Sequence, residues 1–151
     1  MKKTFILLSF FFLLLTTSCN HSSDMADMII GDWETIHIRE KGDDCNGYYF
    51  EDSYEITPEV VEEWCIISIN NSFMKIVETN DEDVNDIANF PFPYTFKGDQ
   101  LTSLLLNSDN TSTVTVSFID EDTMVFYMDD SGYTDGLYET YEQWTTFRRV
   151  E

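Results

Sequence analysis

Apolar and polar residues alternate with a period of two along much of this chain. The clearest case is the segment STVTVSF, in which Val114, Val116 and Phe118 alternate with threonine and serine. Successive side chains of a β-strand point to opposite faces of a sheet, so this pattern predicts strands rather than helices. We therefore expect an all-β fold.

Eight segments have a strand pattern, and short turns join nearly all of them. Gly98-Asp99 and Asn70-Asn71 are typical turn pairs, because glycine and asparagine tolerate a positive φ. Short turns favour antiparallel pairing of consecutive strands, and a sheet that closes on itself has no exposed edges. We therefore predict an eight-stranded antiparallel up-and-down β-barrel. Its predicted strands cover residues 31–40, 64–70, 72–78, 93–97, 100–106, 112–119, 123–129 and 138–149.

Two longer connections, 41–63 and 79–92, are acidic. We expect both to form flaps at a barrel end. Residues 57–63, TPEVVEE, allow at most one helical turn, and residues 79–86, TNDEDVND, are typical of a solvated loop.

The first 18 residues have the pattern of a secretory signal. Two lysines precede an apolar run from Phe5 to Leu15, which is shorter than the roughly 20 residues that a membrane-spanning helix needs. The segment LLTTSCN, which ends at Cys19 and Asn20, resembles a bacterial lipobox, and that resemblance implies a lipidated cysteine as the new N-terminus. The alternative is an ordinary cleaved signal with an incidental cysteine.

These features divide the chain into a signal peptide at 1–18, the lipidated Cys19 with a polar tether at 19–28, and one barrel domain at 29–151. A mature chain of about 130 residues suits a single core. We therefore predict an exported protein held by its lipid to the bacterial cell envelope, specifically the outer membrane, with no other membrane contact.

The chain is strongly acidic, with 29 Asp and Glu against 8 Lys and Arg and a net charge of −21. Such a charge repels nucleic acid and anionic bilayer surfaces, so neither is a predicted partner. The chain also contains 12 Phe, 8 Tyr and 3 Trp, which is too much apolar surface for a disordered segment. We predict a monomeric globular domain with an acidic surface.

Cys45 and Cys65 are the two cysteines that follow Cys19. In an exported protein a disulfide between them would close a loop of roughly 20 residues and stabilise the fold by about 3 kcal/mol in the chain-entropy model. We predict this disulfide; the alternative is two separate thiols, one of them buried on a strand. Neither cysteine has a second cysteine or histidine at metal-ligand spacing.

Two acidic segments offer the oxygen ligands that Ca²⁺ uses, namely residues 80–86, NDEDVND, and 129–136, DDSGYTDG. Neither has the spacing of an EF-hand, and turn chemistry and surface charge explain both equally well. We predict no metal site and no cofactor.

The first and last predicted strands carry the residues of a known family motif. Gly31-Asp32-Trp33 begins the first strand, and Phe147-Arg148-Arg149 ends the last. With the eight-strand meander, this pattern resembles the lipocalin family in the wider calycin sense, especially the lipocalin-like domains of bacterial surface lipoproteins. The resemblance covers about residues 29–150, without the family's second motif or a clear C-terminal helix. It implies that Trp33 closes one barrel end and that an arginine stacks on its ring. Strand parity allows only one of the two arginines to do so.

Residues suited to catalysis are scarce. His37 would share a strand face with Trp33 and Thr35 and point into the barrel, where a satisfied histidine is more common than a catalytic one. No serine lies in a G-x-S-x-G motif, and no cysteine and histidine are spaced as nucleophile and base. We predict no enzymatic activity.

Two functions are compatible with these features. One is a lipid-anchored binding protein whose barrel holds a small apolar or amphipathic ligand. The other is a protein-interaction or inhibitor module that uses the acidic surface and long loops of a filled barrel. A hollow or a filled interior would distinguish them. The residues predicted to face the interior and contact a ligand are His37, Tyr94, Phe96, Val114, Val116, Phe118 and Phe126.

Overall fold

The barrel wall is built from long strands that follow a short N-terminal helix. A computed structural model of the chain describes residues 21–43, 46–59, 64–81, 84–106, 112–134 and 136–151. Within these residues, helix α1 covers His21–Met28, and two short 3-10 helices cover Asn85–Ile87 and Leu104–Leu106. The strands are β1 Gly31–Asp43, β2 Tyr49–Glu55, β3 Cys65–Ile69, β4 Phe73–Thr79, β5 Phe92–Lys97, β6 Gln100–Ser103, β7 Ser112–Asp120, β8 Thr123–Asp129, β9 Gly132–Thr134 and β10 Leu137–Arg149.

Eight of these strands close into an antiparallel barrel in the order β1-β3-β4-β5-β6-β7-β8-β10. β10 returns to β1 over nearly its whole length, from Trp33 opposite Arg149 to Asp43 opposite Thr140. Each barrel strand corresponds to one predicted segment. The predicted eight-stranded up-and-down barrel is therefore confirmed.

Two further strands, β2 and β9, lie outside the closed barrel. β2 pairs with residues 37–43 of β1, and β9 pairs with residues 137–139 of β10. β1 and β10 each have 13 residues and so run on past the strands that close the barrel. We call β2, β9, residues 37–43 of β1 and residues 137–146 of β10 the sheet extension; its residues 142–146 also pair with β8 of the barrel. The prediction of a loop at 41–63 is wrong where β1 continues and β2 forms.

Apolar side chains from all sides of the barrel meet in one core. The rings of Phe126 and Phe147 have centroids 4.8 Å apart, and those of Trp33 and Phe118 are 6.0 Å apart. A smaller second cluster lies where β1 leaves β3 to pair with β2. The buried residues of the main core are Ile29, Trp33, Ile67, Ile69, Met74, Ile76, Leu101, Val114, Val116, Met124, Phe126 and Phe147.

The segments outside the strands differ in part from what the sequence predicts. Residues 21–28 of the predicted tether form α1, and Ile29 behind it is fully buried. In the predicted solvated loop at 79–86, Val84 packs against the core, although residues 82–83 lie outside the described part. Residues 57–59 of the predicted helical turn are not helical, and 60–63 are outside the described part.

The predicted signal peptide and Cys19 fall in residues 1–20, which are outside the described residues. Among the residues that are described, the only α-helix, α1, is too short and too polar to cross a membrane.

Candidate functional site

Trp33 occupies the barrel end where β1 begins and β10 ends. Its side chain is fully buried, and its Nε1 donates a hydrogen bond of 2.9 Å to the carbonyl of Ile29, just after α1. The guanidinium carbon of Arg149 lies 4.2 Å from the centroid of the Trp33 ring, within the range of a cation–π contact. The stacked arginine implied by the family resemblance is therefore present, and it is Arg149.

Arg149 also ties three chain segments together at this end. Its guanidinium donates to the carbonyls of Met28 at 2.8 Å, Ile30 at 2.9 Å and Glu121 at 3.3 Å. Met28 is the last residue of α1, where backbone carbonyls lack helical partners and a cation is favourable. Arg149 thus holds α1 and the β7–β8 turn over the barrel end.

Arg148 points to the opposite side of the sheet, as strand parity requires. It lies 2.8 Å from Glu34 Oε2, and its side chain is 61% exposed. The hydrogen bond from Arg148 lowers the pKa of the Glu34 carboxyl below its usual range, with a further contribution from Trp64 Nε1. Arg148 therefore forms a surface ion pair and takes no part in closing the barrel.

The glycine of the motif is explained by the approach of Arg149. Gly31 has a φ of +144°, a conformation that residues with side chains rarely adopt. A Cβ at this position would also collide with Arg149 Nη1. Glycine at position 31 thus leaves the space that the Arg149 guanidinium needs to lie over the Trp33 ring.

We expect Arg149→Gln to lower the free energy of unfolding by about 2 kcal/mol, because it removes a cation–π contact and charged hydrogen bonds to partly buried carbonyls. Urea denaturation of the purified protein measures this loss. The matched control, Arg148→Gln, breaks an exposed pair and is expected to cost less than about 1 kcal/mol. Equal losses in the two variants would contradict the assignment of Arg149.

Six of the seven residues predicted to face the interior pack with the main core. Val114, Val116 and Phe126 are buried, with exposed fractions of 4%, 1% and 5%. The other three, Tyr94, Phe96 and Phe118, are partly buried against the same cluster. These side chains contact core residues, so in this structure they form the packed interior.

The prediction that His37 faces the interior is wrong. A β-bulge between Thr35 and His37 changes the register, from Thr35 opposite Phe147 to His37 opposite Thr146. One extra residue reverses the facing of the side chains that follow it. Thr35, which precedes the bulge, is buried. His37, which follows it, points away from the interior, and its Nε2 lies 3.0 Å from Ser53 Oγ at an exposed position.

The predicted disulfide is also wrong, because Cys65 is a free thiol whose Sγ lies 3.3 Å from Thr35 Oγ1. Cys45 lies outside the described residues.

We expect Cys65 to react slowly with iodoacetamide in the folded protein and fully in denaturant, without added reductant. Burial raises the pKa of its thiol, and only the thiolate is nucleophilic. Mass spectrometry of the labelled Cys65 peptide provides the measurement. Labelling in denaturant that depends on prior reduction would restore the disulfide.

One face of the sheet extension carries a charge-balanced network around Trp144. Arg39 Cζ and Lys41 Nζ each lie 5.2 Å from the centroid of the Trp144 ring. Arg39 forms an ion pair with Glu51, and Lys41 forms one of 2.7 Å with Glu142. These hydrogen bonds lower the pKa values of both carboxyls. The carboxylates of Glu51 and Glu142 therefore each have a cation beside them.

Tyr127 extends this network onto β8. Its ring centroid lies 5.2 Å from that of Trp144, and its hydroxyl donates to Glu142 Oε1 at 2.8 Å. That hydrogen bond raises the pKa of Tyr127 to about 12. The phenol therefore stays protonated at neutral pH and links β8 to Glu142 of β10.

A cavity of about 530 Å³ lies beside Phe50 and Tyr141, which strand parity places on the face opposite Lys41 and Trp144. The rings of Phe50 and Tyr141 have centroids 6.4 Å apart. Gly42 lies between them on β1, where a Cβ would collide with the backbone carbonyl of Thr140 and approach the Phe50 ring at 3.0 Å. Glycine therefore lets β1 lie close to both β10 and the Phe50 ring.

The lining of this cavity combines aromatic rings with carboxylates. Asp130 and Glu139 lie on the face of Phe50 and Tyr141, and neither forms an ion pair within the described part of the chain. Strand register places the side chains of Asp43 and Tyr133 on the opposite face, where the Tyr133 ring packs on Tyr138.

In the acidic segment at 129–136, Asp129 ends β8 and residues 132–134 form β9. Asp129 Oδ1 accepts a hydrogen bond of 3.0 Å from the backbone N–H of Ser131. Over the described ranges, no three His, Cys, Asp or Glu residues are grouped so that they could hold a metal ion.

Comparisons with known proteins found no match to this chain. No protein-family model matches the chain, and no curated protein or solved structure is significantly similar to it. Fold and site together define a closed eight-stranded antiparallel β-barrel with a tryptophan–arginine pair at one end and a sheet extension beyond the barrel.

Proposed function

We propose that this protein is a lipid-anchored, lipocalin-like interaction module of the bacterial cell envelope. It binds a basic protein on its outer surface rather than an apolar ligand inside the barrel. The observation that carries the proposal is the packing of Val114, Val116 and Phe126 into the core, at the positions where a carried ligand would have to lie.

Packing in the barrel interior weighs against ligand carriage. Binding an apolar molecule among these side chains would require them to move out of a packed core, and protein cores resist such changes. Three cavities lined by described residues, of about 530, 410 and 350 Å³, all lie among surface residues outside the main core.

Surface charge favours a basic partner. The chain has 29 acidic and 8 basic residues, and four of the basic ones, Arg39, Lys41, Arg148 and Arg149, already form ion pairs within the protein. Most of the acidic groups therefore keep their charge available. A field of this sign accelerates encounter with basic proteins and weakens as salt is added.

The proposed lipid anchor would orient the domain for such a partner. The lipobox-like segment ends at Cys19, and α1 begins two residues later at His21, beside the end closed by Trp33. β1 then leads away from that end for roughly 40 Å, at about 3.3 Å per residue, to the sheet extension. The extension would thus lie on the side of the domain away from the anchoring lipid.

The test uses the full lipoprotein in non-ionic detergent and a fluorescein-labelled hexa-arginine peptide, followed by fluorescence anisotropy. We expect saturable binding at about 0.05 M salt that weakens about tenfold or more at about 0.5 M, because screening shortens the reach of the charges. Labelled hexaglutamine is the control and should not bind. Absence of saturable binding at low salt would contradict the proposal. Native mass spectra that show an apolar molecule bound in stoichiometric amount would contradict it as well.

A further inference from the structure

We propose that the free edge of β2 binds an extended basic segment of the protein partner as an added β-strand. The inference rests on the proposed function and names the way in which the partner is held. β2, Tyr49–Glu55, pairs with β1, and in the part of the chain that the structure describes no other strand pairs with it. Such an edge presents backbone donors and acceptors with which another chain can pair.

The backbone groups on the free edge follow from the hydrogen bonds on the paired edge. The N–H of Ile56, just after β2, donates to the carbonyl of Ile36 at 2.9 Å. In an antiparallel pair, residues whose backbone groups face the partner strand alternate with residues whose groups face away from it. The groups of Phe50, Asp52 and Tyr54 therefore face β1. The outward-facing groups belong to four exposed residues, Tyr49, Glu51, Ser53 and Glu55.

Side chains on both faces of β2 fix this strand to the fold. The ring centroid of Phe50 lies 6.4 Å from that of Tyr141, and Tyr54 packs against the second apolar cluster. On the other face, Ser53 Oγ lies 3.0 Å from His37 Nε2. The edge is thus ordered before a partner arrives, so binding requires little further ordering of this strand.

β2 lacks most of the features by which proteins protect an edge strand. It contains no lysine or proline, and its seven residues pair with β1 without a bulge. Charge is the exception, since Glu51, Asp52 and Glu55 lie on the strand. Negative charge repels a second copy of this chain, whose net charge is also −21, but attracts a basic segment. The same three carboxylates thus disfavour self-association and select the charge of the partner.

An added strand would place basic side chains beside these carboxylates. The side chains of Glu51 and Glu55 lie on one face of the sheet, and that of Asp52 lies on the other. Directly opposite residues of paired strands have Cβ atoms about 5 Å apart. Glu51 already pairs with Arg39, whereas neither Asp52 nor Glu55 forms an ion pair among the residues that the structure describes. A strand with basic residues on either face therefore finds a carboxylate there.

Backbone N-methylation separates strand addition from attraction by charge alone. The probe is a fluorescein-labelled octapeptide of alternating lysine and threonine, titrated with the purified protein at low salt and followed by fluorescence anisotropy. Two variants carry N-methyl groups on all lysines or on all threonines, and so keep every charge. We expect one variant to bind at least about tenfold more weakly and the other to stay within about threefold, because only one of the two sets of N–H groups can face β2. Equal affinities of the three peptides, or equal losses in both methylated ones, would overturn the inference.

A proline at position 53 tests whether β2 is the edge that binds. Ser53→Pro removes an outward-facing N–H but no hydrogen bond to β1, and edge strands tolerate proline in such a position. The matched control, Ser53→Ala, loses the same hydroxyl and keeps the N–H. We expect Ser53→Pro to weaken binding of the unmethylated peptide by about fivefold or more, and Ser53→Ala by less than about twofold. Equal binding by the two variants would overturn the assignment to β2. If urea denaturation shows that Ser53→Pro does not fold, the methylated peptides decide with the wild type.

The outcomes separate the inference from the function. If neither hexa-arginine nor the lysine–threonine peptide binds the wild type, both are overturned. If hexa-arginine binds and the methylated peptides do not differ, the strand addition alone is overturned. If sedimentation shows a dimer that Ser53→Pro abolishes, a second copy of this chain covers the edge, and its assignment to a basic partner is overturned.

Discussion

Trp33→Ala is expected to lower the free energy of unfolding by about 3–5 kcal/mol, as truncation of a large buried aromatic does. The Trp33 ring is fully buried. It packs against the Phe118 ring, and the Arg149 guanidinium stacks on it. Its removal leaves a cavity and deprives the Ile29 carbonyl of its donor. A domain with about 5–15 kcal/mol of stability would be close to unfolding.

Urea denaturation followed by far-ultraviolet circular dichroism measures this loss. The matched control is Trp144→Ala, which removes the same side chain from the partly exposed face of the sheet extension. We expect the control to lose clearly less stability, because water already covers part of that ring. Losses of the same size would show that Trp33 has no special place in closing the barrel.

Cys19→Ser is expected to abolish lipid attachment completely. Lipidation of a lipobox-like segment takes place on the cysteine sulfur, which serine lacks, so the protein should remain as uncleaved or mislocalised precursor. Incorporation of labelled palmitate, with fractionation of the envelope, gives the measurement. Cys65→Ser is the control and should label normally, because its thiol lies in the folded barrel. Labelling that persists in Cys19→Ser would reject the lipobox.

The barrel could be predicted from sequence because every barrel strand buries one face in the same core. Val114 and Val116 on β7, and Met124 and Phe126 on β8, produce the period of two directly. The family resemblance predicted that an arginine stacks on Trp33, and strand parity allowed only one of Arg148 and Arg149 to do so. The register that selects Arg149 required the structure.

The features that sequence did not predict lack this periodic signal. β2, YFEDSYE, is exposed or only partly buried at every position, so no buried face marks it as a strand. The bulge before His37 leaves no trace in the residue pattern, yet it reverses the facing of that side chain. The disulfide prediction rested on two cysteines in an exported chain, and no residue pattern indicates that Cys65 is a free thiol beside Thr35.

The cavity had a sequence signal that is clear in retrospect. Tyrosines and acidic residues are interleaved in two segments, YYFEDSYE at 48–55 and GYTDGLYETYE at 132–142. The first contains β2 and the second contains the start of β10, and both strands pair with β1. Only the pairing of the strands places Phe50 beside Tyr141. Without that pairing, the same residues fit ordinary acidic loops.

The most direct test of binding outside the barrel is a two-dimensional NMR titration of the ¹⁵N-labelled protein with unlabelled hexa-arginine. We expect saturable shifts at amides of the sheet extension, such as those of Phe50 and Tyr141, with the amides of Val116 and other core residues unchanged. Shifts centred on the core, or spread evenly over acidic residues around the whole surface, would contradict a basic partner held at the sheet extension.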